Sequence, residues 1–191
     1  LCGFEALARW IRPEEGVLTP DAFLPVADRL GRLHELGDQV RAAAADALGR
    51  WQACGVSVSV NVTASELARE DFVEALLARA RAAGAPRGAY KVEVSETEVM
   101  ADPDACARAM EQLAEGGIGL MLDDFGTGYS SLSRLDRLPF DAIKIDQYFV
   151  RHLSADESAR KIVSSVVSLA RSFGMTVVAE GVESEAAVTV L

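Results

Sequence analysis

Valine alternates with polar residues from Val56 to Val62, in VSVSVNV, so that Val56, Val58, Val60 and Val62 share one face and Ser57, Ser59 and Asn61 the other. The same parity recurs along the chain. Lys91, Glu93 and Ser95 oppose Val92 and Val94, and Lys144 and Asp146 oppose Ile143 and Ile145. Thr176 and Glu180 oppose Met175, Val177 and Ala179, and Glu5 and Arg9 oppose Phe4 and Ala6. These patterns predict β-type runs at Gly3–Arg9, Val56–Val62, Tyr90–Ser95, Ile118–Asp123, Ala142–Asp146 and Met175–Glu180. Between them lie helical segments. Thr19-Pro20 and Asp102-Pro103 each place a capping residue before a first-turn proline. Gly55, Gly84, Gly116 and Gly174 stand where helices should stop. Ile162, Val166, Leu169 and Phe173 make one stripe of a helix over Ala155–Phe173.

Strands alternating with helices imply parallel strands joined by helical crossovers. The parity narrows the fold class. An open doubly wound sheet is covered by helices on both faces, so its strands should be apolar throughout. One apolar and one polar face instead predicts an α/β fold of TIM-type (β/α)8 barrel architecture, with valines under the helices and polar groups toward the axis. Six runs are visible where a closed barrel needs eight, and 191 residues fall short of the roughly 250 typical of such barrels. The expectation is therefore one domain over residues 1–191, an excerpt lacking elements at both ends.

Composition adds limits. Half of the residues are hydrophobic, enough for a core. No stretch approaches the roughly 18 consecutive apolar residues of a membrane span. The opening LCGFEALARW lacks the basic segment and cleavage site of a signal peptide. Cys2, Cys54 and Cys106 form no CxxC pair, which points to a reducing, cytoplasmic setting without a zinc site. A net charge of -10 argues against non-specific DNA binding. An anionic ligand remains open to such a protein if bound cations reverse the local field.

In barrels of this type the chemistry sits at the C-terminal ends of the strands. There the sequence places Glu5, Asn61, Glu93, Asp123, Asp124, Lys144 and Glu180. The segment LMLDDFGTGYSSL, from Leu120, delivers two adjacent acids to one strand end. Adjacent carboxylates repel unless a cation or a shared proton lies between them. An all-oxygen set suits Mg²⁺ or Mn²⁺. Five carboxylates exceed what one Mg²⁺ normally takes, so two ions about 3.5–4 Å apart are expected, as in phosphoryl displacement. Lys144 could stabilise hydroxide or phosphate charge, Glu180 could accept a proton or orient the water, and Arg9 could fork onto a phosphate.

Each residue also has a plainer reading. A single strand-end acid is often a helix cap, Lys144 could be a structural ion-pair partner, and Asn61 could be a turn former. Asp146 could cap the next segment or touch ligand. The tripeptide DFG also occurs in protein kinases, but no G-x-G-x-x-G loop or HRD-type loop accompanies it. His34 and His152 fall at no strand end and carry no assigned role.

Taken in order, the motifs resemble the EAL domain of bacterial cyclic di-GMP phosphodiesterases. Glu5-Ala6-Leu7 is the signature tripeptide, within EALARW. NVTASEL from Asn61, VEVSETEVM from Val92, LDDFGTGYSSL from Leu122, IKID from Ile143 and VVAEGVE from Val177 complete the series. The resemblance covers essentially the whole chain. It implies hydrolysis of cyclic di-GMP to linear pGpG, with Glu5, Asn61, Glu93, Asp123 and Asp124 as metal ligands. It implies that Lys144 and Glu180 act on the attacking water and that Arg9 contacts a substrate phosphate, with Asp146 a further substrate contact. Glu96 would hold the Asp124–Ser131 loop, which would couple a homodimer to activity. Sensor, receiver or diguanylate-cyclase domains would flank the excerpt, with no membrane contact by this domain. Ala8 departs from the family's second leucine, Ser95 and Thr97 exchange hydroxyl types around Glu96, and Gln147-Tyr148 replaces a common Arg-Ser. None of these removes a carboxylate. The competing functions are a cyclic di-GMP receptor that does not cleave, a protein-interaction module on the same barrel, and a metalloenzyme for another phosphate ester.

Overall fold

The computed structural model describes residues 1–101, 103–126, 137–183 and 185–190. Six strands form one parallel sheet: β1 (Gly3–Ala6), β4 (Ser57–Asn61), β5 (Tyr90–Ser95), β6 (Gly119–Phe125), β7 (Ala142–Ile145) and β8 (Thr176–Ala179), neighbours in that order. Crossover helices separate them: α1 (Pro20–Arg29) and α2 (Leu33–Trp51), then α3 (Ala64–Leu67) and α4 (Phe72–Ala82), then α5 (Glu96–Ala101) and α6 (Pro103–Glu115). Helices α7 (Gln147–His152) and α8 (Glu157–Ser172) precede β8, and α9 (Glu185–Val190) follows it.

The sheet is curled into a half-barrel, and one contact proves the curvature. Lys144 on β7 reaches Glu5 on β1 at 3.4 Å, four strands away in sheet order. In a flat sheet those strands would lie about 19 Å apart, at about 4.8 Å per step, beyond the reach of the two side chains. The barrel expectation holds, and its parity holds with it. Val58, Val60, Val92, Val94, Ile143 and Ile145 are buried in one core with Leu48, Leu76, Met110 and Val166 of the covering helices.

Three details differ from the sequence reading. The first strand ends at Ala6, so its alternation does not carry through to Arg9. A short antiparallel hairpin follows instead, β2 (Trp10–Arg12) against β3 (Gly16–Leu18). Its three-residue strands are too short for a period of two to register. In α8 the buried stripe is Ala159, Val163, Val166 and Ala170, while Phe173 lies beyond the helix and is exposed. The Asp102 cap and residues 127–131 of the expected Asp124–Ser131 loop lie outside the described residues.

Candidate active site

The site is assembled at the C-terminal strand ends around one ammonium group. Lys144 is 4% exposed. Its Nζ contacts Glu180 Oε1 at 2.6 Å, Asp123 Oδ1 at 3.2 Å and Glu5 Oε2 at 3.4 Å, and it bonds directly to Glu93. These four carboxylates come from β1, β5, β6 and the residue after β8. Asn61 joins from β4, donating its amide to Glu5 Oε1 at 2.8 Å. Period-two alternation explains the convergence: Glu5, Asn61, Glu93 and Lys144 all lie on the faces turned away from the helices.

Asp123 and Asp124 reach the same mouth by a different device. Leu122 pairs with Ile143 and Phe125 with Ile145, so two aspartates oppose the single residue Lys144. This is a β-bulge, which re-aims side chains by adding a residue to one strand. Asp124 adopts φ +55, a left-handed conformation that aspartate tolerates better than most residues. Its N–H donates to Asp123 Oδ1 at 2.9 Å. Beyond it Gly126 donates to Oε2 of the buried Glu96 at 3.1 Å, which fixes the exit of the bulge.

Electrostatics follow from this packing. Burial opposes the charge on Lys144, but its bonds to Glu180 and Glu93 outweigh that cost, and its pKa is raised. Burial pushes Glu93 and Glu180 up, with Lys144 acting against the shift in both. Asp124 is raised by desolvation and then by the charges of Asp123 and Asp146. Five acids thus face one lysine. Asp123, Asp124 and Glu180 offer oxygen atoms all within 4.8 Å of one another, a donor set that fits a hard divalent cation.

The other residues singled out from the sequence are placed as follows. Asp146 caps α7, accepting from Tyr148 N–H at 2.8 Å, and its charge helps to push Asp124 up. Arg9 is exposed past the end of β1, and its guanidinium donates to the Ala8 carbonyl at 2.7 Å. His152 packs its Nδ1 2.6 Å from the Tyr148 carbonyl oxygen, away from the strand ends. Sequence reading missed Glu98. It lies on α5 and lines the same cavity, where burial pushes its carboxyl up and the Ala64 backbone acts against that shift. The signal was a Ser-x-x-Glu spacing, for Glu98 N–H donates back to Ser95 Oγ at 3.4 Å.

A cavity of about 730 Å³ opens over the cluster. Asn61, Glu93 and Asp123 line one part, and Leu24, Leu33 and Leu36 of α1 and α2 line another. No helix among the described residues is long and apolar enough to cross a membrane.

Comparison with known proteins agrees with this geometry. The family model for the EAL domain matches residues 1–191. The chain is 38% identical over 189 residues to the bifunctional diguanylate cyclase/cyclic di-GMP phosphodiesterase MucR of Pseudomonas aeruginosa, covering 97% of this chain and 28% of that protein. It is 37% identical over 183 residues to the cyclic di-GMP phosphodiesterase NbdA of the same species, covering 94% of this chain and 23% of the relative. The chain thus spans less than a third of either protein. Among solved structures, the MucR phosphodiesterase in complex with c-di-GMP superposes with a TM-score of 0.92 at 37% identity, over 98% of this chain and 77% of that one. A calcium and cyclic di-GMP complex of BlrP1 from Klebsiella pneumoniae gives 0.83 at 32% identity, over 97% and 46%. This chain belongs to the EAL-domain family.

Proposed function

We propose that this domain hydrolyses cyclic di-GMP to linear pGpG with Mg²⁺ or Mn²⁺, two ions being held by Glu5, Asn61, Glu93, Asp123 and Asp124. The observation that carries the reading is the four-carboxylate contact of Lys144 at the open end of a parallel half-barrel. So dense a negative cluster admits a phosphodiester only with cations present. A cavity of about 730 Å³ matches the size of ligand sites. The similarity to MucR and NbdA, named for this activity, supports the substrate.

When bound, the ions supply Lewis-acid polarisation of the phosphate and neutralise its charge. The chain's own groups do the rest. Glu180 accepts the proton of the attacking water. Lys144 stays an ammonium and holds Glu180 in place through their 2.6 Å contact. Arg9, exposed at the rim, forks onto a phosphate, and Asp146 contacts substrate beside Asp124. Glu96 holds the bulge exit through Gly126. A homodimer about the Asp124–Ser131 region, coupling to sensory or cyclase modules, and a cytoplasmic setting complete the proposal.

The test is turnover of cyclic di-GMP by the purified protein with Mg²⁺, with Mn²⁺ and with chelator, products separated by chromatography. Linear pGpG should form with a metal and vanish with chelator. Tight binding of the dinucleotide without pGpG under either metal would refute hydrolysis and leave a receptor.

A further inference from the structure

Arg41 lies on α2 and is 2% exposed. Its Nη2 lies 2.8 Å from Glu66 Oε1 and 3.2 Å from Asp38 Oδ1. Asp38 is shared with Arg79 of α4 at 3.6 Å. The guanidinium stacks 5.1 Å over the Phe72 ring, and the Arg41 carbonyl accepts the Tyr90 hydroxyl at 2.8 Å. Arg41 Nη1 is buried without a hydrogen-bond partner among the described residues. An alanine Cβ at Gly37 would lie 2.7–2.9 Å from Glu66 Oε1 and both Arg41 amino nitrogens, so the pair is pressed against the α2 backbone. His34 Nδ1 is 3.8 Å from the same Glu66 oxygen.

The far side of Glu66 faces the mouth. Its Oε2 accepts the Thr63 N–H at 3.1 Å and the Thr63 hydroxyl at 3.3 Å, and Thr63 Oγ1 in turn accepts the Glu66 N–H, a complete capping box. Thr63 stands two residues after Asn61. Between them Val62 N–H donates to the Glu93 carbonyl at 2.9 Å. The corner that carries Asn61 is therefore pinned on one side by the sheet and on the other by a buried ion pair. Removing Arg41 leaves a desolvated carboxylate that must turn toward water or take a proton. The turn withdraws Oε2 from the Thr63 N–H and undoes the cap.

We infer that Arg41 is a positioning residue for Asn61, acting through Glu66 and Thr63 on the angle at which the Asn61 amide meets Glu5. The kinetic part of this inference rests on the hydrolase reading; the geometric part does not. Arg41→Leu, Glu66→Gln and the double variant test it. Glutamine keeps the capping chemistry without the charge, so the double variant restores the corner by a different route. Two readouts apply: the Asn61 side-chain amide resonance in metal-free protein, assigned by its loss in Asn61→Asp, and kcat and KM for cyclic di-GMP at a temperature where every variant is folded. Arg41→Leu should move the Asn61 resonance and lower kcat about 10-fold or more with KM little changed. The double variant should return both to wild type. A wild-type Asn61 resonance in Arg41→Leu, or a double variant as impaired as the single one, overturns the inference. Should Arg41→Leu fail to fold, Arg41→Met against Arg41→Met combined with Glu66→Gln makes the same comparison. A wild type inert with both metals overturns the hydrolase reading instead, and the amide resonance then decides the positioning role alone.

Discussion

Lys144 Nζ lies 2.6 Å from Glu180 Oε1 across the seam between β7 and β8, and the same ammonium neutralises acids on three further strands. One buried cation thus offsets a repulsion that would otherwise open the half-barrel at its mouth. Lys144→Met keeps most of the volume and removes the charge. It should cost about 3 kcal/mol, the low end for breaking a buried pair, and abolish turnover. Added Mn²⁺ should then raise the urea midpoint of the variant more than that of the wild type. Equal shifts in the two proteins would show that Lys144 and the cation do not share the same carboxylates.

In the proposed hydrolysis Glu180 takes the proton of the attacking water. It follows β8 directly, its backbone N–H donates to the Ile145 carbonyl at 3.1 Å, and its carboxylate is held by Lys144. Glu180→Gln keeps a carbonyl oxygen for Lys144 and loses the base. The rate should fall about 10²–10⁴-fold, with KM for cyclic di-GMP near the wild-type value. A variant as fast as wild type in steady-state kinetics removes Glu180 from the reaction.

How far the sequence carried these conclusions varied by residue. The parity of Val58, Val60 and Val62 against Ser59 and Asn61 was enough to place the strands, their inner face and the mouth. That parity is local, and local patterns survive in a linear reading. The hub role of Lys144 is not local: Glu5 is 139 residues away in sequence and Glu93 is 51 away. Only closure of the sheet brings them together. The Arg41–Glu66 pair was invisible for a related reason. An arginine beside the alanine run from Ala42 reads as a helix surface, and nothing in its own helix says that α3 and Phe72 cover it. The β2–β3 hairpin escaped because its strands are shorter than the window in which alternation can be recognised.

Gly126 combines a left-handed φ of +97 with a packed surrounding, since an added Cβ would lie 3.3 Å from Phe149 Cε2. Its N–H is also the one held by Glu96. Gly174 has φ +71 and nothing within 4 Å of a Cβ. Both alanine variants should lose about 1–2 kcal/mol from the backbone term. Only Gly126→Ala should reduce turnover and weaken Mn²⁺ dependence, because only there does the displaced backbone carry Asp123 and Asp124. Matching kinetics in the two variants would uncouple the bulge exit from the proposed metal site.

Tyr90 gives a pH dependence that is separate from the mouth. Burial pushes its hydroxyl up to about 12, with the charges of Arg41 and Arg79 pulling against that shift. The unfolded chain releases the same proton near pH 10. The raised folded value favours the neutral phenol, so its contribution is complete below about pH 10 and is lost as pH rises from there toward 12. The loss should reach about 2–3 kcal/mol. Tyr90→Phe gives up the hydrogen bond to the Arg41 carbonyl and should be about 1 kcal/mol less stable at pH 8. Above pH 10 its urea midpoint should fall less steeply than the wild type's, since lysine titration is common to both proteins and cancels. Parallel curves from pH 9 to pH 11.5 would mean that the Tyr90 hydroxyl ionises at its ordinary value, and that the floor beneath the Arg41–Glu66 corner is open to water.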